Sequence, residues 1–447
     1  MTLINRRASA RDSSDSSGSS DDAPAQRNLR INTFSLIASN LLTGLLGLVF
    51  WAAAARLYPT EAVGVGAAVI SSAMMLAILA MLSIDTLYER FLPVAGYRAG
   101  PLLALGFLVV TVVSVLAGIG LVLFGPRDAM FESGWQLASY PLLVLVLALY
   151  TVLDRTTAGL GVARWAAMKN SLHSVAKLVV LLLFAWTASA ESIVLAWVGT
   201  AAVAVVVLVM AIRRRLRTDP QFLVPPALPS KPEIWRYFGS SFGLTATWII
   251  GPLVVPLIVL SQFGAVANAH FAVTWAIVNA FYTTVHLILS PYVSEVAAHP
   301  DKVASLTRRM VATMVGVNVI GGLGLVAVGP FVLGLVGGDY RVEGQSLLYL
   351  AALFVPLSAV TGVYEGFARV RRKLGVVMAV RFAGTVMIIG GSVVATSMFG
   401  VTGIGWAYLV AEGLCALVLV VPVIRWIRRV KADPAWLTPQ PSAQPVV

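Results

Sequence analysis

The sequence predicts an all-α polytopic membrane protein, with about twelve transmembrane helices in two pseudo-symmetric six-helix lobes. Three observations predict it. The chain has 447 residues, of which 58% are hydrophobic and only 12% charged, with a mean hydropathy of +0.87; soluble domains are nearer half apolar and a quarter charged. Apolar stretches of about 20 residues, long enough to cross a bilayer, recur along most of its length. The two halves also resemble each other, and the basic residues sort by side.

The spans fall at roughly 31–55, 63–86, 101–124, 136–158, 171–190 and 192–212 in the first half. The second half repeats the pattern at 237–260, 266–290, 309–333, 345–367, 375–399 and 402–424. Between them, RRRLRTDPQFLVPPALPSKPEIWR (213–236) is basic and Pro-rich, as a linker between two lobes (31–212 and 237–425) would be. The first 30 residues are polar and rich in Ser and Asp, the composition of a disordered tail, and no cleavable signal peptide is expected there. Residues 426–447 form a second, Pro-rich tail.

Of the 32 Lys and Arg residues, only Arg56, Arg127 and Arg341 lie in odd-numbered connections; the other 29 lie in the tails, the even-numbered connections or the span ends beside them. By the positive-inside rule both termini are expected to be cytoplasmic; the excess of Arg over Lys and the abundance of Ala, Val and Gly suggest a bacterial chain, so a bacterial plasma membrane is the expected location. The net charge of +12 is therefore topological, and nucleic acid is not an expected partner, whereas anionic lipid headgroups are. Cys415 is the single cysteine, so no internal disulfide forms.

Sliding one half over the other by a little more than 200 residues sets LYPTEAVGVGAA (57–68) against SQFGAVANAHFA (261–272). It also brings Asp154 close to Glu365 and Trp197 close to Trp406. Each lobe has an even number of spans, so the two enter the membrane from the same side, as parallel repeats do in transporters.

Charges inside the spans carry the functional signal, because each costs roughly 2.5–3.5 kcal/mol at mid-bilayer and needs a partner. Asp154 and Arg155 end the fourth span, but neighbours on a helix point about 100° apart and cannot pair. On the fifth span Asn170, His173, Ser174 and Lys177 share a face. With the turn placed near Arg164–Ala167, Asp154 and Lys177 come to similar depth and are expected to pair. Glu365 and Arg381 repeat the arrangement. Two readings stay open: static ion pairs that lock helix hairpins, or a titratable or anion-binding site in a cavity.

Polar stripes run along the first span (Asn32, Ser35, Ser39, Thr43) and the eighth (Asn279, Tyr282, Thr283, His286, Ser290). They line a wet path or hold helices together. Glu412, mid-way along the twelfth span, is a candidate proton or cation site or a protonated bystander. Pro252 and Pro256 in the seventh span each remove a backbone donor and are expected to bend it, in a gating role or as an inert kink.

The motifs of catalysis are missing. There is no GxxxxGK[ST] phosphate loop and no GxSxG, no His/Cys cluster has metal spacing, and GVTGIG (400–405) reads as an interhelical turn. The chain is expected not to be an enzyme and to hold no bound cofactor.

Several segments are similar to Wzx-type polysaccharide (O-antigen/oligosaccharide) flippases of the multidrug/oligosaccharidyl-lipid/polysaccharide (MOP) exporter superfamily, its actinobacterial members in particular. They are LYPTEAVGVGAA, RFLPVAG (90–96) and DRTTAGLGVARWAAMKNSLHSVAKLVVLLLFA (154–185). The likeness covers residues 31–425 and falls on Arg90, Phe91, Pro93, Asp154, Gly159, Leu160, Ala163, Trp165, Asn170 and Lys177. Arg155 departs from it, standing where an uncharged residue is expected. The two extra helices of MurJ-type lipid II flippases are also missing from the span count.

The resemblance implies a V-shaped central cavity formed largely by the first, second, seventh and eighth spans. It implies a polyprenyl-pyrophosphate-linked oligosaccharide as substrate, with a glycan polymerase or glycosyltransferases as further partner candidates, and a monomer. A pyrophosphate needs cations in a low-dielectric site, for which Arg56, Arg90, Arg155, Lys177 and Arg381 are candidates. Trp51, Trp248, Trp275 and Tyr282 suit the glycan. Coupling to a proton or sodium gradient or to the membrane potential is left as the energy source. The competing readings are an ion-coupled exporter of small amphipathic cations and a non-transporting scaffold for glycan-assembly enzymes.

Overall fold

The structure, a computed structural model, describes residues 43–226, 228, 231–287, 292, 295–296, 302–371 and 375–432. Asn32, Ser35, Ser39, Ser290, the N-terminal tail and residues 433–447 lie outside the described residues, as do the side chains of Trp248, Pro252, Thr283 and His286.

Every long element is a helix. In order these are α1 (Thr43–Leu57), α2 (Thr60–Ala80), α3 (Ala99–Phe124), α4 (Gly134–Gly159), α5 (Ala163–Leu183) and α6 (Ala190–Thr218). Then come α7 (231–263), α8 (265–287), α9 (Val303–Ala327), α10 (Gly338–Val370), α11 (Gly375–Phe399) and α12 (Gly403–Ala432). They match the twelve predicted spans in order.

Several boundaries differ from expectation. The second span stops at Ala80, because Leu82 (φ 48°) and Ser83 (φ 61°) turn left-handed. A separate amphipathic helix, Ile84–Phe91, then carries Asp85, Glu89 and Arg90. The fifth span starts at Ala163 rather than 171, since Gly161 (φ 73°) supplies the left-handed residue that reverses the chain within three positions. In the seventh span the helix continues through Pro252 and Pro256; the non-helical residue is Gly264 (φ 82°, ψ −178°), the whole connection between α7 and α8. α6 and α7 also reach into the expected 213–236 linker, which shortens to 219–230.

Burial separates lipid-facing from packed surfaces. On α3, Leu105, Leu108, Val112, Leu116, Ile119 and Leu123 form an exposed stripe at three- and four-residue spacing, while Leu103, Gly106, Val110, Ser114 and Gly118 are buried. This is the pattern of a helix facing hydrocarbon on one side and closely packed neighbours on the other.

One hydrophobic cluster joins α2–α6, with Tyr88, Tyr140, Leu153 and Leu160 at its centre. A second joins α8–α12 around Phe354, Phe367 and Tyr408, and Trp51 and Ala55 of α1 pack against it. The halves meet where α2 crosses α8. There Asn268 Nδ2 donates to the Gly64 carbonyl at 2.8 Å, and a methyl group on Gly64 would stand 1.7 Å from the Ala265 oxygen. The 219–230 connection is tied to the first half as well: Tyr97 N donates to the Val224 carbonyl at 3.1 Å. Gly96 (φ 49°) lies directly beneath that carbonyl, which gives RFLPVAG a structural reason for its final residue.

Candidate functional site

The charged side chains of the spans collect into two clusters at equivalent places in the two halves. In the first, α4 and α5 run antiparallel from the Gly161 turn. Asp154 and Lys169 lie on either side of that turn, and the carboxylate meets Lys169 Nζ at 2.7 Å. Lys169 also donates to the Tyr150 carbonyl at 2.6 Å and sits 3.4 Å from the Tyr150 ring centroid. Asn170 Nδ2 donates to Asp154 at 3.3 Å, while its Oδ1 accepts from the Tyr150 hydroxyl at 2.7 Å.

The expected Asp154–Lys177 pair does not form. The turn lies at Leu160–Val162, not at Arg164–Ala167, so Lys177 stands two helical turns past Lys169, roughly 12 Å further along the helix axis. Lys177 instead faces rings: its Nζ is 3.4 Å from the Trp197 centroid and 5.3 Å from that of Phe50. Trp197 belongs to a π-helical turn, Leu195–Gly199, at the start of α6. Its carbonyl accepts from the Thr200 backbone N–H and from His173 Nε2, the latter at 2.9 Å.

The second cluster joins α8, α10, α11 and α12. Glu365, Arg381 and Glu412 are all buried. Arg381 Nη2 lies 3.7 Å from Glu365, and its Nη1 donates to the Tyr282 hydroxyl at 3.3 Å. Tyr282 in turn donates to Glu412 at 3.0 Å. Arg369, one turn along α10, closes on Glu365 at 2.5 Å. The result is a charged chain, Glu412–Tyr282–Arg381–Glu365–Arg369, in which Arg381 and Glu365 are joined by the ion pair and not by a hydrogen bond. A small cavity lies beside it, lined by Tyr282, Thr361, Arg381, Tyr408 and Glu412, with about 30 Å³ for the centres of water-sized groups. That is room for one or two waters. The Thr361 and Tyr408 hydroxyls, buried there, make no hydrogen bond among the described residues.

The clusters correspond position by position. Asp154 and Glu365 each stand five residues before the last residue of their helix, and Lys169 and Arg381 each stand six residues past the first described residue of theirs.

Other sequence candidates lie elsewhere. Arg56, exposed at the end of α1, donates to the Leu335 carbonyl. Arg155 pairs with Glu89 at 2.9 Å on the exposed side of α4, which removes it from any interior anion site. Arg90 is exposed at the end of its short helix, 5.6 Å from the Phe91 ring. Trp275 is packed between Phe271 and Tyr408 rather than open to a ligand. Trp51 is half-buried and lies 6.0 Å from Trp197. Pro256 is buried in α7. Lys169, Tyr150, Phe50 and Arg369 were not singled out from sequence; the Gly159–Gly161 pair is the signal that would have shifted the turn and revealed Lys169. Among the described residues no group of three or more His, Cys, Asp or Glu side chains is placed to hold a metal ion.

No protein-family profile matches the chain, and no curated protein matches it by sequence. Solved structures do match. An inward-facing multidrug-resistance MATE transporter of the MOP superfamily superposes with a TM-score of 0.64 at 14% identity, covering 88% of this chain and 96% of that one. The lipid II flippase MurJ, in an inward closed conformation, gives 0.63 at 11% identity, with 89% and 90% covered. The MATE multidrug transporter DinF-BH in complex with R6G gives 0.62 at 15%, with 91% and 96% covered. The chain has the fold of these MOP-superfamily transporters.

Proposed function

We propose that the protein is a flippase that moves a polyprenyl-pyrophosphate-linked oligosaccharide from the cytoplasmic to the outer leaflet by alternating access. The observation that carries this reading is the state of three acids in the spans. Asp154 is held by Lys169 and Asn170, Glu365 by Arg381 and Arg369, and Glu412 by Tyr282. An exporter of cations wants a carboxylate open to its substrate; here Asp154, Glu365 and Glu412 are each engaged and the buried Lys169, Lys177 and Arg381 lean the interior positive, which suits an anionic substrate. The Wzx-like segments support the same choice.

The two ion pairs then serve the motion. Each joins the last turn and a half of one helix to the first turns of the next, so each hairpin moves as one body while the α2–α8 seam opens and closes.

An ion-coupled exporter of small amphipathic cations is the second reading, favoured by the likeness to multidrug transporters. Depleting the protein in its host and quantifying polyprenyl-pyrophosphate oligosaccharides on each face of the plasma membrane separates the two. Build-up on the cytoplasmic face, relieved by the wild-type chain, is the expected result. Unchanged pools and distribution would leave the exporter reading standing instead.

A further inference from the structure

Three cations are buried in the described part of the spans. Lys169 has Asp154, Arg381 has Glu365, and Lys177 has neither a carboxylate nor a hydrogen-bond acceptor among the described residues. Lys177 is only 3% exposed, and the faces of Trp197 and Phe50 are its partners. Taking an ammonium out of water costs several kcal/mol, whereas a desolvated cation–π contact returns about 2 kcal/mol. The site is therefore short of negative charge.

We propose that Lys177, with the ring faces of Trp197 and Phe50, is the docking point for a phosphoryl anion. This rests on the flippase reading and assigns the part of its substrate that binds there. The box is built, since His173 and Thr200 both donate to the Trp197 carbonyl, at 2.9 and 3.2 Å, which fixes the indole that carries the cation. Trp51, half-buried and 6.0 Å from Trp197, packs both against the small cluster around Phe50 and against the C-terminal half, so the box lies beside the seam between the halves. Asp154, the carboxylate nearest along this helix pair, is two turns away and already held, so it does not compete for the ammonium. Phosphoryl groups are the anions that lipids carry into a membrane, and the flanking rings suit the sugar or isoprenoid attached to one.

The test uses the purified full-length chain in detergent and calorimetric titration with inorganic pyrophosphate, farnesyl pyrophosphate and short-chain phosphatidylglycerol. At least one probe is expected to bind, at least ten-fold more weakly to Lys177→Met and with affinity regained in Lys177→Arg. Tighter binding of farnesyl pyrophosphate than of pyrophosphate identifies an isoprenoid-linked ligand; binding of phosphatidylglycerol alone identifies a phospholipid headgroup. Lys177→Met places an apolar chain of similar length among the same rings and should fold. If it does not, protection of wild-type Lys177 from an amine-reactive reagent by pyrophosphate reports the same contact. No binding by any probe, equal binding to Lys177→Met, or no protection overturns the proposal. A wild-type chain that flips lipid-linked glycan, with Lys177→Met flipping as fast, sinks the docking point alone. A chain that binds pyrophosphate through Lys177 but flips nothing sinks the flippase reading alone.

Discussion

Asp154 and Lys169 meet at 2.7 Å across the α4–α5 turn, and Glu365 and Arg381 meet at 3.7 Å across the corresponding α10–α11 turn. The same acid–base pairing is thus built twice, at the same helix positions in two hairpins. The pairs are not equal. The first is a compact pair wrapped by Tyr150 and Asn170, and the second is one link of a charged chain that reaches Glu412.

Breaking the first pair should be asymmetric, because the Lys169 side chain is 4% exposed and that of Asp154 is 33% exposed. Asp154→Asn is expected to insert normally, to lose roughly 1–2 kcal/mol of stability and to lose transport. Lys169→Gln leaves a carboxylate that water still reaches and should cost less. Thermal unfolding in detergent, together with leaflet-resolved flipping, checks this order. Transport by Asp154→Asn at the wild-type rate would show that the pair is only structural.

Arg381 is buried between Glu365 and Tyr282, so Arg381→Gln leaves Glu365 to Arg369 alone and should cost about 1–3 kcal/mol. Adding Glu365→Gln to it should recover much of the loss. A double-mutant cycle on melting temperature measures the coupling; additive losses would mean that the 3.7 Å pair contributes nothing.

Gly64 sits against the Ala265 backbone, where any side chain must push α2 from α8. Gly64→Val should insert and express, yet fail to close the seam and so fail to transport. Asn268→Ala, which leaves the buried Gly64 carbonyl without its donor, should cost about 1–3 kcal/mol. Reaction of a cysteine introduced at Ala267 with a membrane-impermeant reagent should rise in both variants.

Gly96 combines φ 49° with the close approach of the Val224 carbonyl. Gly96→Ala should cost about 1–3 kcal/mol and loosen the 219–230 connection. Faster tryptic cleavage at Arg215 and Arg217 would report it.

Arg155 and Glu89 form an exposed pair, worth at most about 1 kcal/mol. Arg155→Gln should change neither melting temperature nor flipping measurably. A large loss of flipping would return Arg155 to the substrate path.

What the sequence determined by itself is what the bilayer enforces locally. A helix must be apolar for about 20 residues and must satisfy its own backbone, so twelve spans and their order could be read directly. The repeat was legible in part, because Glu365 follows Asp154 by 211 residues; that Arg381 matches Lys169, 212 residues earlier, rather than Lys177 emerged only once the turn was placed. Which side chains meet was decided only by the tertiary structure. A shift of a few residues in one turn moves a side chain by a helical turn or more, about 5.4 Å of depth each. That was enough to exchange Lys177 for Lys169 as the partner of Asp154. The ring faces that hold Lys177 come from α1 and α6, well apart in sequence, and hydropathy carries no information about which helices pack together. The local pattern specified how many helices cross and where; the packing of helices distant in the chain specified which charge is neutralised and which is left for a ligand.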